Sequence, residues 1–491
     1  MQRPLHPGRQ RVSIVITALV LLTSVALLIP PASVTHAQTQ LDSFNPNVNG
    51  PVYALALQAD GKLLIGGNFT TISGQPRSYL ARLNRGGTLD AAFAPVLTGP
   101  VYALALQPDG QIIVGGDFFI RDAAGRRFGS LVRFRPDGSQ DISFRQVAND
   151  AVTDLVLEPD AQIVVAGEFT TWAPEYTRNR IARIDPSSMV DEAFDPDANG
   201  EVKALALQAD GKLLVGGWFD TIGGQRRGSL VRLNADGSLD LTFDAKVNDS
   251  INAVALQADD KIVVGGRFSS IGGQRRDYLA RLNADGTLDT TFTATIRGIA
   301  DVLAVQTNGQ IIVGGAEFTT VDGQLRFLLA RLQADGSLDP AFDPNANGAV
   351  NALLIQPDGK LLVGGEFTQI GGQPRNYLAR LINTAPVQQD LRVSQDGTTI
   401  TWTRSGVGPE LARVVFEQVS DNTNAAAPQA SATLLGEGVR SANGWQLSGL
   451  TLPRNQTFVI RARGFYASGS IIEAEQRVST GARVYLPLVR R

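Results

Sequence analysis

Two sets of side chains in this chain have the types that carry binding or acid chemistry. One set is Tyr53, Tyr102, Thr153, Lys203, Asn252, Asp301 and Asn351; the other is Asn68, Asp117, Glu168, Trp218, Arg267, Glu317 and Glu366. Members of each set recur about every fifty residues, while their surroundings barely change. Aromatic faces stack on pyranose rings and carboxylates accept hydrogen bonds from hydroxyls, so the mixture suits a saccharide. Two acids would also support glycoside cleavage if held about 5 to 9.5 Å apart across a cleft. Nothing in the sequence pairs Glu168, Glu317 or Glu366 in that way. Unselected solvent positions vary too, so variation alone assigns neither role. A third group, Trp172, Glu175 and Tyr176, replaces the Gly and Gln of neighbouring units with an aromatic-acid cluster. Read as a ligand site, it predicts that Trp172→Ala with Tyr176→Ala abolishes binding and leaves the melting temperature nearly unchanged.

Absent residue types narrow the chemistry. There is no Cys, and the two His are His6 and His36. Both lie in a segment that reads as a secretory signal, 1–37: Arg3, Arg9 and Arg11, an apolar run from Val12 to Ile29, a Pro30-Pro31 break, and a small-residue cleavage site ending at Ala37. Cleavage would make Gln38 the first mature residue; the alternative is an uncleaved anchor. No other stretch is long or apolar enough to span a bilayer. The exported chain would then lack His and Cys altogether. Ser-His-Asp and Cys-His catalysis, ordinary zinc sites, His-ligated haem and disulfides are excluded. No catalytic residue, metal or cofactor is expected. The formal net charge of -3 and the lack of a basic block argue against nucleic acid.

The elements that must position these residues come from a repeat. "GGNF" at Gly66 recurs as "GGDF" at Gly115, "AGEF" at Ala166, "GGWF" at Gly216, "GGRF" at Gly265, "GGAEF" at Gly314 and "GGEF" at Gly364. Each copy holds short Val/Ile/Leu-rich segments of period two, bounded by Asp-Gly turns, which are strands. Four antiparallel strands per copy, in seven copies, predict an all-β, seven-bladed β-propeller over residues 41–383. The last copy ends at "YLARLINTAP" without an "LDxxF" segment, and the start supplies "LDSF". Asp42, Phe44 and Arg380 should therefore close the ring, although "LDSF" is one residue short. The recurring "LAR" Arg and "LD" Asp are expected to form structural cross-strand ion pairs. "NADGSLD" (Asn234 to Asp240) reads as a hairpin turn, since Arg232 and Phe243 would occupy calcium-ligand positions.

The units "ALALQADGKLLVGGWF" and "LVRLNADGSLDLTF" resemble the delta-60 repeat of bacterial proteins, and "LLVGG" is similar to the second strand of kelch repeats. The resemblance implies architecture and says almost nothing of activity. After a linker, 384–390, the segments "TTITWTRSG", "LARVVFEQV" and "GWQLSGLTLPRNQTFVIRARG" resemble a fibronectin type III β-sandwich over 391–483, with Trp402, Leu450 and Phe458 in its core. A tail, 484–491, follows. The reading is a secreted or cell-surface, non-catalytic, monomeric protein that binds an extracellular polysaccharide or protein through the propeller's loop face. A carboxylate-based glycan hydrolase or lyase and a passive extracellular scaffold are the alternatives.

Overall fold

The computed structural model describes residues 40–479 apart from 122–126, 145, 174–175, 384, 420–431, 442–443, 454–455 and 467–470. The segment 1–37 that reads as a secretory signal, Glu175 and the tail 484–491 lie outside the described residues. Among the described residues, no helix is long and apolar enough to cross a membrane.

The propeller is built from seven three-stranded antiparallel sheets. In blade 1 the inner strand is Val52–Leu57, the middle strand Leu63–Gly67 and the outer strand Leu80–Leu83. The other inner strands are Val101–Leu106, Val152–Leu157, Glu201–Leu207, Ile251–Leu256, Val302–Val305 and Val350–Ile355. Each inner strand contacts the next, and Val350–Ile355 contacts Val52–Leu57, so the ring is closed. In six blades the middle strand has Gly where the next blade packs closely; blade 3 has Ala166 there. A Cβ on Gly66 would lie 2.5 Å from Val101 of blade 2, and one on Gly364 would lie 2.8 Å from Val52 of blade 1.

The expected fourth strand is reduced to a single bridge, as at Leu83↔Leu89 and Leu282↔Leu288. The Asp that follows explains this. Asp90 turns its carboxylate inward to accept from Arg82, Lys62 and the Ala92 N–H, which bends the chain away from the sheet. All seven blades contain this Arg–Asp pair at 2.6–2.8 Å: Arg82–Asp90, Arg133–Asp141, Arg183–Asp191, Arg232–Asp240, Arg281–Asp289, Arg331–Asp339 and Arg380–Asp42. Each guanidinium also covers the Phe of the same segment at 4.4–4.8 Å. In blades 1, 3, 4, 5 and 7 it donates to a carbonyl in the next blade's turn, at 2.5–3.0 Å. One Arg thus holds its own blade and joins it to the next.

Blade 7 is shared between the ends. Leu41 bridges Leu381, and Ile382 N–H donates to the Gln40 carbonyl at 2.7 Å. The missing residue of "LDSF" is absorbed locally: Phe44 N–H donates to Asp42 at 2.9 Å, the bond that Ala92 makes to Asp90 in blade 1. Phe44 still reaches its place beneath Arg380.

The C-terminal unit is a β-sandwich of two four-stranded sheets. Its first strand, Val387–Val393, begins inside the segment expected to be a linker. Trp402 and Phe458 are buried between the sheets, and Leu450 packs against them.

Candidate functional site

The two faces of the ring differ. Short turns between inner and middle strands share one face with the turns after the outer strands: Arg85 Nε donates to the Asp60 carbonyl at 2.6 Å. The longer loops share the other face with the inter-blade links. There Asn49 Oδ1 accepts from the N–H groups of Thr70 and Thr71, and Val48 bridges Ile72. Most of these loops carry a tiny hairpin, such as Thr71–Ile72 with Gln75–Pro76.

The sandwich sits on the turn face. Pro409 bridges Gln306, Thr307 N–H donates to the Gly408 carbonyl at 2.8 Å, and Glu410 N–H donates to the Val305 carbonyl at 3.1 Å. Pro409 to Ala412, with Arg440 and Tyr466, enclose a space of about 220 Å³ against the turn-face ends of the inner strands of blades 4 to 7. An inner strand of six residues places its other end roughly 17 Å away. That far end is the loop-face mouth, where the two sets of variable side chains lie.

At the mouth the inner set is half-buried and the outer set exposed. The Tyr53 and Tyr102 rings are 5.6 Å apart at 47°. Burial, then the Glu366 carboxylate, push the Tyr53 hydroxyl above its usual range. Burial, then Asp117 and Glu168, do the same for Tyr102. Glu168 is itself raised by burial and by Glu201 and Asp150. The tyrosine pair therefore lies in an acidic arc across blades 7, 1, 2 and 3. Elsewhere the inner set is tied down. Thr153 Oγ1 donates to the Val202 carbonyl at 3.1 Å. Lys203 pairs with Glu201 at 3.3 Å. Asn252 donates to Asp301 at 2.8 Å, and Asp301 also accepts from the Ala316 N–H. Trp218, 68% exposed, and the exposed Arg267 mark the blade 4–5 side. Among the described residues, no group of His, Cys, Asp or Glu is arranged to hold a metal ion.

Trp172, expected in a ligand-facing cluster, lies in the core instead. Trp172 is fully buried, stacks edge-on against Phe169 at 5.0 Å and donates to Gln146 Oε1 at 2.7 Å. It fills the slot that Ile72, Ile222, Ile271 and Ile370 occupy in other blades, so it faces the core and no ligand. Tyr176 lies against the same core, its hydroxyl 3.2 Å from Glu192.

Two acids escaped the sequence reading. Asp154 stands in the inner strand of blade 3, where five blades have Ala and one Val. It accepts from the N–H of Leu155 and from that of Leu205 on the neighbouring inner strand, both at 2.8 Å. Burial pushes its carboxyl up to about 7. Glu158 stands where the other six blades have Gln, and burial pushes it up to about 7 as well. Breaks in the repeat, inside the inner strand at Asp154 and just past its end at Glu158, were the available signal.

A family model described as a domain of unknown function (DUF5122) beta-propeller matches residues 58–93, 107–144, 158–194, 208–243, 257–292, 306–342 and 356–381. The chain belongs to the DUF5122 β-propeller family. Its seven matched segments follow the seven blades, and the "LDxxF" end is missing from the last match because the N-terminus supplies it. No curated protein matches the chain. Among solved structures, it is similar to the extracellular domain of the putative one component system BT4673 from B. thetaiotaomicron, at 12% identity and TM-score 0.39, covering 91% of this chain and 58% of that one. The chain thus spans less than two thirds of that domain. It is also similar to a catalytically inactive virginiamycin B lyase from Staphylococcus aureus, solved with quinupristin, at 12% identity and TM-score 0.42, covering 70% of this chain and 99% of that one. Similarity this low carries no argument about activity.

Proposed function

We propose that this DUF5122 propeller is an exported or surface-held binding protein that takes an extracellular polysaccharide or protein at its loop-face mouth. One observation carries the reading: the sandwich stands across the turn-face end of the channel, leaving the mouth with Tyr53, Tyr102 and Trp218 as the open end. Flat aromatic rings beside carboxylates suit stacking on a sugar ring with hydrogen bonds to its hydroxyls. Asn68, Asp117, Glu168, Lys203, Arg267, Asp301, Glu317 and Glu366 would form the polar rim. We take the sandwich as fibronectin type III-like, a docked accessory that stiffens the ring, and the chain as a monomer.

A carboxylate-based glycan hydrolase or lyase is the second reading. Burial and the neighbouring Glu201 and Asp150 push the Glu168 carboxyl upward, the direction that suits a general acid, and this favours it. Screening the protein on polysaccharide and cell-envelope arrays, with and without chelator, tests both. Retention of an intact glycan supports the binding reading. Release of shortened glycan, lost in Glu168→Gln, replaces it with the enzymatic one.

A further inference from the structure

A second cavity lies away from the mouth, between the turns of blades 2 to 4 and the sandwich. It measures about 130 Å³. Leu106, Val156, Leu157 and Leu207 form its propeller wall, and Trp445 and Phe465 its sandwich wall. An apolar cavity of similar size, about 150 Å³, holds a benzene molecule. This one is not purely apolar. Glu158 lines it, with a side chain only 10% exposed. Its nearest cation, Arg183, stands 3.5 Å off and is already engaged by Asp191 at 2.7 Å. One guanidinium thus faces two carboxylates, and Asp160 adds further negative charge. On the sandwich side Arg413 pairs with Glu437 and cancels it. Above about pH 7 the wall therefore has two carboxylates, Glu158 and Asp191, against the single Arg183 guanidinium. Tyr466 lies on the sandwich wall as well, shared with the space under the inner strands of blades 4 to 7.

We propose that this interdomain cavity is a binding site for a small amphipathic amine, with an aromatic or branched aliphatic body of about benzene size against Trp445 and Phe465 and its ammonium directed at Glu158. The body gains by burying apolar area. The ammonium supplies the charge that Arg183, shared with Asp191, does not. The other six blades carry Gln at the Glu158 position, so the preference for a cation is confined to blade 3. A ligand here touches both the propeller and the sandwich, and its binding would favour the docked arrangement.

The test uses the full chain and two probes of equal shape, benzylammonium and benzyl alcohol, titrated by calorimetry at pH 8. Glu158→Gln installs the residue of the other blades and should fold normally. Ala209→Phe places a bulky ring into the cavity from an exposed turn. The wild type should bind benzylammonium with a Kd below about 1 mM, about tenfold tighter than benzyl alcohol. Glu158→Gln should bind both equally, and Ala209→Phe should bind neither. No binding of either probe by the wild type overturns the proposal. So does a cation preference that survives Glu158→Gln, or binding that survives Ala209→Phe, since a cation held at the acidic mouth would show both.

Discussion

Asp42→Ala should open the ring at its single non-covalent joint. The substitution removes a carboxylate that contacts Arg380 at 2.6 and 2.7 Å and accepts from Phe44 N–H at 2.9 Å. Leaving one partner of a buried pair without the other costs about 3–5 kcal/mol. The side chains here are 17% and 13% exposed, so some solvent reaches them and about 2–3 kcal/mol is the better figure. The lost backbone acceptor adds about 1 kcal/mol. Asp289→Ala removes the same pair inside blade 5, where the chain is continuous, and is the control. Urea denaturation gives the stability change, and hydrogen exchange at the Ile382 amide, which donates to Gln40, reports the joint itself. Asp42→Ala should lower the midpoint and release Ile382 exchange, whereas Asp289→Ala should leave Ile382 protected. The double variant Asp42→Ala with Arg380→Ala should show a coupling of about 1–2 kcal/mol. Swapping the pair, Asp42→Arg with Arg380→Asp, should recover part of the loss; full recovery is not expected because the guanidinium no longer covers Phe44 from residue 380. A coupling below about 0.5 kcal/mol, with Ile382 still protected, would refute the pairing as the element that closes the ring.

Other outcomes follow from the same geometry. Trp172→Ala should cost about 3–5 kcal/mol, read as a lowered midpoint, because it empties a core slot and strands Gln146; Trp172→Ile, the residue of other blades, should cost much less. Asp154 holds its proton up to about 7 in the folded state but loses it near 4 when unfolded, so it lowers stability as pH rises from about 4 to 7. Asp154→Ala should therefore gain about 1–3 kcal/mol at pH 8, allowing for partial exposure, and gain little at pH 4; equal gains at both would contradict the assignment. Asp240 behaves oppositely. Burial alone would raise it, but the Thr242 hydroxyl, Lys212 and Arg232 together hold it well below the usual range. Its contribution is complete above about pH 4 and is lost as pH falls toward the folded value, so Asp240→Asn should flatten the acid limb of the stability curve.

The repeat made the blades, the loop face, the Arg–Asp pairs and the shared seventh blade legible, because each is written seven times and a seven-fold pattern constrains its own register. Single-copy features were harder. Trp172 was conspicuous by type, yet its position in the unit matches Ile72 and Ile222, and position decides burial. Asp154 and Glu158 were inconspicuous because one acid among many reads as solvent-facing; only comparison with the Ala and Gln of sister blades marks them. The short closing segment leaves its register open in the sequence; in the structure the Phe44 N–H bond to Asp42 fixes it. Docking of the sandwich on the turn face rests on Gln306 and Thr307 meeting Gly406 to Glu410, a contact between stretches about a hundred residues apart with no periodic signature.

The most direct test of the account is a titration of whichever array ligand is retained against the wild type and against Tyr53→Ala with Tyr102→Ala, both residues being half-buried at the mouth and outside the blade cores. The account predicts at least a tenfold loss of affinity in the double variant, with unfolding midpoints that stay close together. Undiminished affinity in the double variant would contradict recognition at the mouth.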